Sequence, residues 1–205
     1  MVTFINKSNQ VKGGLIVILT LVFFLSKAQD SFHKKLSDAA IELTTQQVRY
    51  DPSYFSIPYP NGDVPSDKGV CTDVVIRAYR KLGIDLQKEV HEDMVKNFSL
   101  YPKIWGLSKT DQSIDHRRVP NLMTYFSRHG VVKKKTLNPA DYAAGDIVTW
   151  DLGSGTTHIG ILIDQKSVDG KRPLVVHNIA NGQEISDCLF DYKIIGHYSY
   201  PRSIE

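Results

Sequence analysis

"GDIVTWDLGSGTTHIGILIDQKSVDGKRPLVVHNIA", residues 145–180, decides the fold. Its apolar pieces, "DIVTW", "HIGILID" and "PLVVHNIA", are short, β-branched and aromatic, with turn residues between them. Such runs read as strands, and "DGKRP", 169–173, reads as a hairpin connection. "YKIIGHYSY", 192–200, adds another strand. In "TTHIGILID", His158, Gly160 and Leu162 share one face, and Ile159, Ile161 and Ile163 share the other. Both faces are mostly apolar, so this strand is expected to be covered on both sides. Gly160 removes a side chain next to the imidazole and lets another element approach.

Upstream the apolar period is helical. "SDAAIELTTQQVRY", 37–50, reads as a helix with Ser37 as its N-cap. "VCTDVVIRAYRKLGIDL", 70–86, is amphipathic, with Cys71, Val75, Ala78 and Leu82 on one stripe and Gly83 as the stop. "QKEVHEDMVKNF", 87–98, and "NLMTYFSRHG", 121–130, are two more helices, the second ended by Gly130. The stretch 51–69 is dense in Pro, Gly, Asp and Ser, and 99–120 is irregular. A loop as long as 51–69 is more often functional than idle. Helices followed by a run of strands imply an α+β domain with an antiparallel sheet.

The chain has 205 residues, enough for one domain and a short extra segment. That segment is the N-terminus. Lys7 and Lys12 precede the run "LIVILTLVFFL", 15–25, and "SKA" follows with small residues at Ser26 and Ala28. This is the pattern of a secretory signal over 1–28, and its apolar core falls short of the roughly 20 residues of a membrane span. A secreted or periplasmic, cell-envelope location follows, with membrane contact only through the signal segment if it stays uncleaved. Residues 29–205 then form a single domain. The signal holds three lysines and no acid, which leaves 22 basic and 22 acidic side chains in the rest. A neutral chain argues against nucleic acid as a partner. "KKK", 133–135, reads as a solvated loop.

Cys71 is the first polar atom on a buried stripe, and it opens a helix, where unpaired N–H groups point outward. Thiolate is the attacking species, and the helix dipole favours it there. A base must take and return the proton. His158 opens one strand and His177 lies 19 residues on, as expected for neighbouring strands joined by a turn. Cys188, in "ISDCLFDY", is expected to be a small filler, not the disulfide partner of Cys71. No His pair at helical spacing and no close Cys pair suggests a metal, and no glycine loop suggests a phosphate, so no cofactor is expected.

"GVCTDVVIRAYRKLGIDL", "YAAGDIVTW", "THIGILID" and "LVVHNI" resemble the NlpC-type cell-wall cysteine hydrolases. "YDPSY", "YPNGDVP", "GVCTDVVIRAYR", "DHRRVPNL", "GDIVTW" and "GHYSYP" more closely resemble the YijF-like family of secreted bacterial proteins, a domain family without assigned function. That likeness spans about 47–201. The hydrolase resemblance implies a papain-like fold, with helices packed on a small antiparallel sheet or partial barrel. It implies Cys71 as nucleophile, His158 as base and His177 as the residue that orients it, with Asn178 the alternative. It also implies that Tyr59 stands near the oxyanion. The chain departs from the hydrolase pattern around the nucleophile, where Val70, Thr72 and Asp73 stand. Arg117 and Arg118 in "DHRRVPN", with Asp73, are the candidate substrate-binding residues, since arginines suit a carboxylate. The activity implied is cleavage of an amide bond in peptidoglycan or another exported peptide. The alternative is a catalytically silent envelope-binding module on the same fold.

Overall fold

The computed structural model describes residues 32–180 and 182–201. The expected signal at 1–28 lies outside the described residues. Among the described residues, no helix is long and apolar enough to cross a membrane.

Helix α1 spans 32–43, not 37–50. Leu36, Ala39, Ala40 and Leu43 form its buried stripe. Ser37 is therefore an interior residue and caps nothing. It is wholly buried, and its hydroxyl accepts the Asp164 N–H at 2.9 Å. The helix ends where the Thr44 and Thr45 hydroxyls bond back to the Ile41 and Glu42 carbonyls, both at 2.8 Å. The chain then enters β1, Arg49–Tyr50, which pairs in parallel with β2, Lys68–Gly69.

Helix α2, Cys71–Lys81, is the centre of the domain. It reads as amphipathic, yet its polar residues Thr72, Asp73 and Arg77 are buried as well. Two segments are the reason: Arg117 bonds Thr72 and Asp73, and the 51–69 loop wraps Arg77. Arg77 Nη2 donates to the carbonyls of Val64, Pro65 and Lys68, and its Nε donates to Asp63. Gly83, with φ +81, takes the left-handed turn that ends the helix. α3, Leu86–Asn97, starts on Asp85, whose carboxylate accepts the Gln87 and Lys88 N–H groups. α4, Val119–His129, begins two residues earlier than its apolar pattern suggests, with Pro120 in its first turn.

The sheet has six strands: β3 (Val131–Val132), β4 (Ile147–Asp151), β5 (Thr157–Lys166), β6 (Pro173–Ile179), β7 (Gly182–Ser186) and β8 (Lys193–Ser199). Their order is β3-β8-β4-β5-β6-β7, and every pairing is antiparallel. The molecule is thus an α+β domain. Both faces of β5 are covered. Ile159, Ile161 and Ile163 pack with Val74, Val75 and Ala78 of α2 in the main core. Leu162 joins Val148, Trp150, Val175 and Leu189 on the far side.

The "GD" before β4 has a structural task. Gly145, with φ +80, leaves no room for a Cβ against His33. Asp146 is wholly buried and is held by His197 Nε2 at 2.9 Å and Lys133 Nζ at 2.6 Å. Burial pushes its carboxyl pKa up, but His197 and Lys133 outweigh that and hold it below the ordinary carboxylate range. Lys133 is therefore no mere member of a solvated run.

Candidate active site

Cys71 is the first residue of α2. Its start is fixed from within the helix, because Asp73 Oδ2 accepts the Val70 N–H at 2.7 Å. Asn178, on β6, braces the chain just before it by donating to the Gly69 carbonyl at 3.2 Å. Cys71 is 6% exposed, and the main-chain N–H of Ile159 faces its sulfur. That contact is possible because β5 pairs with β6 at Ile161–Val176 and Leu162–Val175, while Ile159 lies beyond the end of this ladder.

One residue before Ile159 stands His158. Its Nε2 and His177 Nδ1 are 2.7 Å apart, and the rings cross edge to face. Trp150 covers the His158 ring at 5.9 Å between centroids. His177 Nε2 faces Glu184 Oε1 at 3.7 Å and Cys188 Sγ at 3.9 Å. His158 thus keeps Nδ1 as its uncommitted nitrogen. Among the described residues, no hydrogen bond joins Cys71 to either imidazole. Both cysteines are free.

Burial sets the charges here. It pushes the Cys71 thiol up to about 12, against the opposing pull of the Ile159 N–H. It draws His158 down to about 3, with His177 adding to the effect. It lowers His177 too, with Glu184 opposing. The resting pair is neutral thiol and neutral imidazole. Burial thus works against the thiolate that the helix start favours. Alkylation of Cys71 at pH 6 is accordingly expected to be slow, which iodoacetamide labelling measures.

The imidazoles make stability depend on pH. His158 and His116 are held at about 3, each mainly by burial, and His177 is lowered as well. Unfolded, such rings titrate near 6.5, so between 6.5 and 3 the unfolded chain binds more protons. Their stabilisation is complete above pH 6.5 and falls as the pH drops toward 3. The slope is about 1.4 kcal/mol per pH unit for each ring inside its window. Urea unfolding at pH 7.5, 6 and 5 measures it, and a flat profile would contradict the buried neutral rings.

A cleft of about 230 Å³ opens over Cys71, lined among others by Tyr50, Trp105, Arg117, Arg118, Pro120 and Thr157. The expected site residues divide sharply around it. Arg117 and Asp73 are not available to a substrate, because they hold each other. Arg117 Nε and Nη2 meet the two Asp73 oxygens at 2.9 and 3.0 Å, with side chains 2% and 4% exposed. Arg118 stands free of such a partner and lies over the Trp105 ring at 4.2 Å. Tyr59 is not in the cleft; it packs edge-on against His91 at 5.2 Å, on the α3 side. The tyrosine in the cleft is Tyr50, whose phenol is raised by burial and by the nearby Cys71 and Asp73. The "YDPSY" stretch that begins with it was the available signal. Asn178 braces Gly69, so the ring partner of His158 is His177. Among the described residues, no group of three or more His, Cys, Asp or Glu is placed to hold a metal ion.

The chain is 52% identical over 165 residues to a protein of Escherichia coli (strain K12) named "Uncharacterized protein YijF", covering 80% of each. A family model described as "Domain of unknown function (DUF1287)" matches residues 37–200, from within α1 to the end of β8. The match takes in Cys71, the histidine pair and the cleft, and the chain belongs to the DUF1287 family.

Proposed function

We propose that this protein is a papain-like cysteine hydrolase of the cell envelope that cleaves an amide bond in peptidoglycan stem peptides. One observation carries the reading. His158 gives Nε2 to His177 and keeps Nδ1, while the Cys71 sulfur rests on the N–H of the very next residue, Ile159. The base and its orienting group are thus in contact, and the nucleophile lies beside the residue that follows the base, an order that supports acyl transfer once thiol and imidazole meet. The secretory pattern at the N-terminus and the resemblance to NlpC-type enzymes support the substrate class.

Substrate entry desolvates the cleft and draws the imidazole and thiol together, since such contacts are commonly loose without substrate. His158 Nδ1 takes the thiol proton as sulfur attacks the carbonyl carbon. Main-chain N–H groups at the start of α2 receive the oxyanion. His158 returns the proton to the leaving amine. Water, deprotonated by the same ring, then breaks the thioester and releases the acid. His158 Nε2–H donates to His177 Nδ1, and that bond leaves His158 Nδ1 unprotonated and ready to take the thiol proton.

The test is incubation of the protein, freed of residues 1–28, with purified sacculi. Soluble fragments with a new amine and carboxyl pair, read by mass spectrometry, are the expected result. No release above a heat-treated control overturns the assignment. A second reading, the silent envelope-binding module, is favoured by the missing thiol–imidazole hydrogen bond; it predicts binding to sacculi without fragments.

The same assay separates the two residues that compete for the orienting role. His177→Ala should lower turnover by about 10²-fold or more with little change in KM, because it disturbs only the base. Asn178→Ala should instead cost stability, since its amide braces Gly69. A far larger loss of turnover in Asn178→Ala than in His177→Ala would reverse the assignment.

A further inference from the structure

We propose that Arg118, laid on Trp105, is a carboxylate subsite of the Cys71 cleft and selects substrates with a free carboxylate beside the scissile bond. The inference rests on the hydrolase reading for the word substrate, but its binding claim stands apart from turnover. Of the two arginines in "DHRRVPN", Arg117 is saturated by Asp73 and the Ser53 carbonyl. Arg118 has no hydrogen-bonding partner for its Nη1, which is buried. The side chain has no acceptor among the described residues, and a carboxylate arriving in the cleft would supply one to its exposed part.

The surroundings aim this group at a ligand. The Arg118 main chain is fixed, because it precedes α4 and its carbonyl accepts the Asn121 and Leu122 N–H groups at 3.0 and 3.1 Å. The side chain is only partly exposed and lines the same cleft as Cys71 and Thr157. Trp105, at 36% exposure, is a platform that keeps the fork flat and leaves its edge open. The nearby acids are Asp111 and Asp115. Asp115 Oδ2 already takes His91 Nδ1 at 3.0 Å and the Asp111 N–H at 2.8 Å. Asp111 accepts the Ser113 N–H and the Tyr54 hydroxyl. Asp115 Oδ1 is buried with no hydrogen-bond partner, yet neither acid forms an ion pair or hydrogen bond with Arg118 among the described residues, so the guanidinium is committed to neither. The small cleft suits one residue-sized group and its carboxylate, not a long segment.

The experiment uses the Cys71→Ala protein, so that no probe is consumed, and the tripeptide L-alanyl-γ-D-glutamyl-L-lysine beside its α-amide. Binding is followed by calorimetry and by tryptophan emission. The chain has two tryptophans, and Trp150 is 1% exposed and bonded to the Leu189 carbonyl, so a change on binding reports Trp105. The acid is expected to bind about tenfold or more tighter than the amide. Arg118→Gln should erase that preference, Arg118→Lys should keep part of it, and Trp105→Leu should weaken acid binding and remove the emission change. Equal binding of acid and amide, or a preference that survives Arg118→Gln, overturns the subsite. Binding preference with no fragment release by the parent protein would uphold the subsite and end the hydrolase reading.

Discussion

Cys71→Ala is expected to lower fragment release from sacculi by at least about 10⁴-fold while the fold remains intact. The reason for the first effect is chemical. Neither Tyr50 nor Thr157, the other hydroxyl-bearing groups in the cleft, has an imidazole to activate it, and an alanine methyl cannot form the thioester. The reason for the second is packing. The sulfur is a small group that faces the main-chain N–H groups of Ile159, Thr72 and its own residue, and its loss removes little buried volume. A change in unfolding free energy near 1 kcal/mol is the expected order. Activity and urea midpoint must therefore be read on the same preparation. Undiminished fragment release would end the cysteine mechanism, and a collapsed midpoint would mean that Cys71 is chiefly a core residue. Cys71→Ser sharpens the comparison, since it keeps a donor and an acceptor at nearly the same volume but a far weaker nucleophile at this depth.

What was legible in the chain follows from the range over which each signal acts. The strands at 147–151, 157–166, 173–179 and 193–199 carry dense β-branched and aromatic residues, and local propensity agrees with burial there. β7 does not, because "GQEIS" holds a single large apolar residue and exists as a strand by pairing with β6. The two-residue strands β1, β2 and β3 are products of neighbours, not of their own sequence. Cys71 and the two histidines stood out because few residue types do their chemistry. Tyr59 stood out and Tyr50 did not, since Tyr59 lies within the 51–69 loop and Tyr50 just before it, and only the folded path of that loop brings Tyr50 to the thiol. The charge state of Cys71 was out of reach as well. Its position at a helix start is local, but its burial depends on β5, on the 51–69 loop and on the segment 114–120 together.

The second large effect is on stability, and it lies in a contact that no local pattern announces. Arg117→Ala is expected to destabilise the protein by about 3–5 kcal/mol. Arg117 and Asp73 are 44 residues apart and almost wholly buried, and they meet through two parallel N–H···O bonds at 2.9 and 3.0 Å. Without the guanidinium, a carboxylate stays in a dry site with only the Val70 N–H at 2.7 Å to answer it. The loss also frees the Ser53 carbonyl from Arg117 Nη1, so the 51–69 loop loses a tie to the helix start. A change at the other end is costly as well. Asp73→Asn keeps one oxygen, able to accept from Val70 and Arg117 Nη2, but sets its NH2 against Arg117 Nε–H and leaves the guanidinium charge unanswered. The double variant Asp73→Asn/Arg117→Met should recover part of the Arg117→Ala loss, because no uncompensated charge remains. Urea unfolding of these variants at pH 7.5, with Arg117→Met alone closing the cycle, gives the coupling. A loss below about 1 kcal/mol in Arg117→Ala would mean that water reaches Asp73, and the pair would then rank with ordinary surface ion pairs. A loss of the expected size carries a kinetic corollary: Cys71 should alkylate faster in Arg117→Ala than in the parent, because the pair that closes the start of α2 over the thiol is gone.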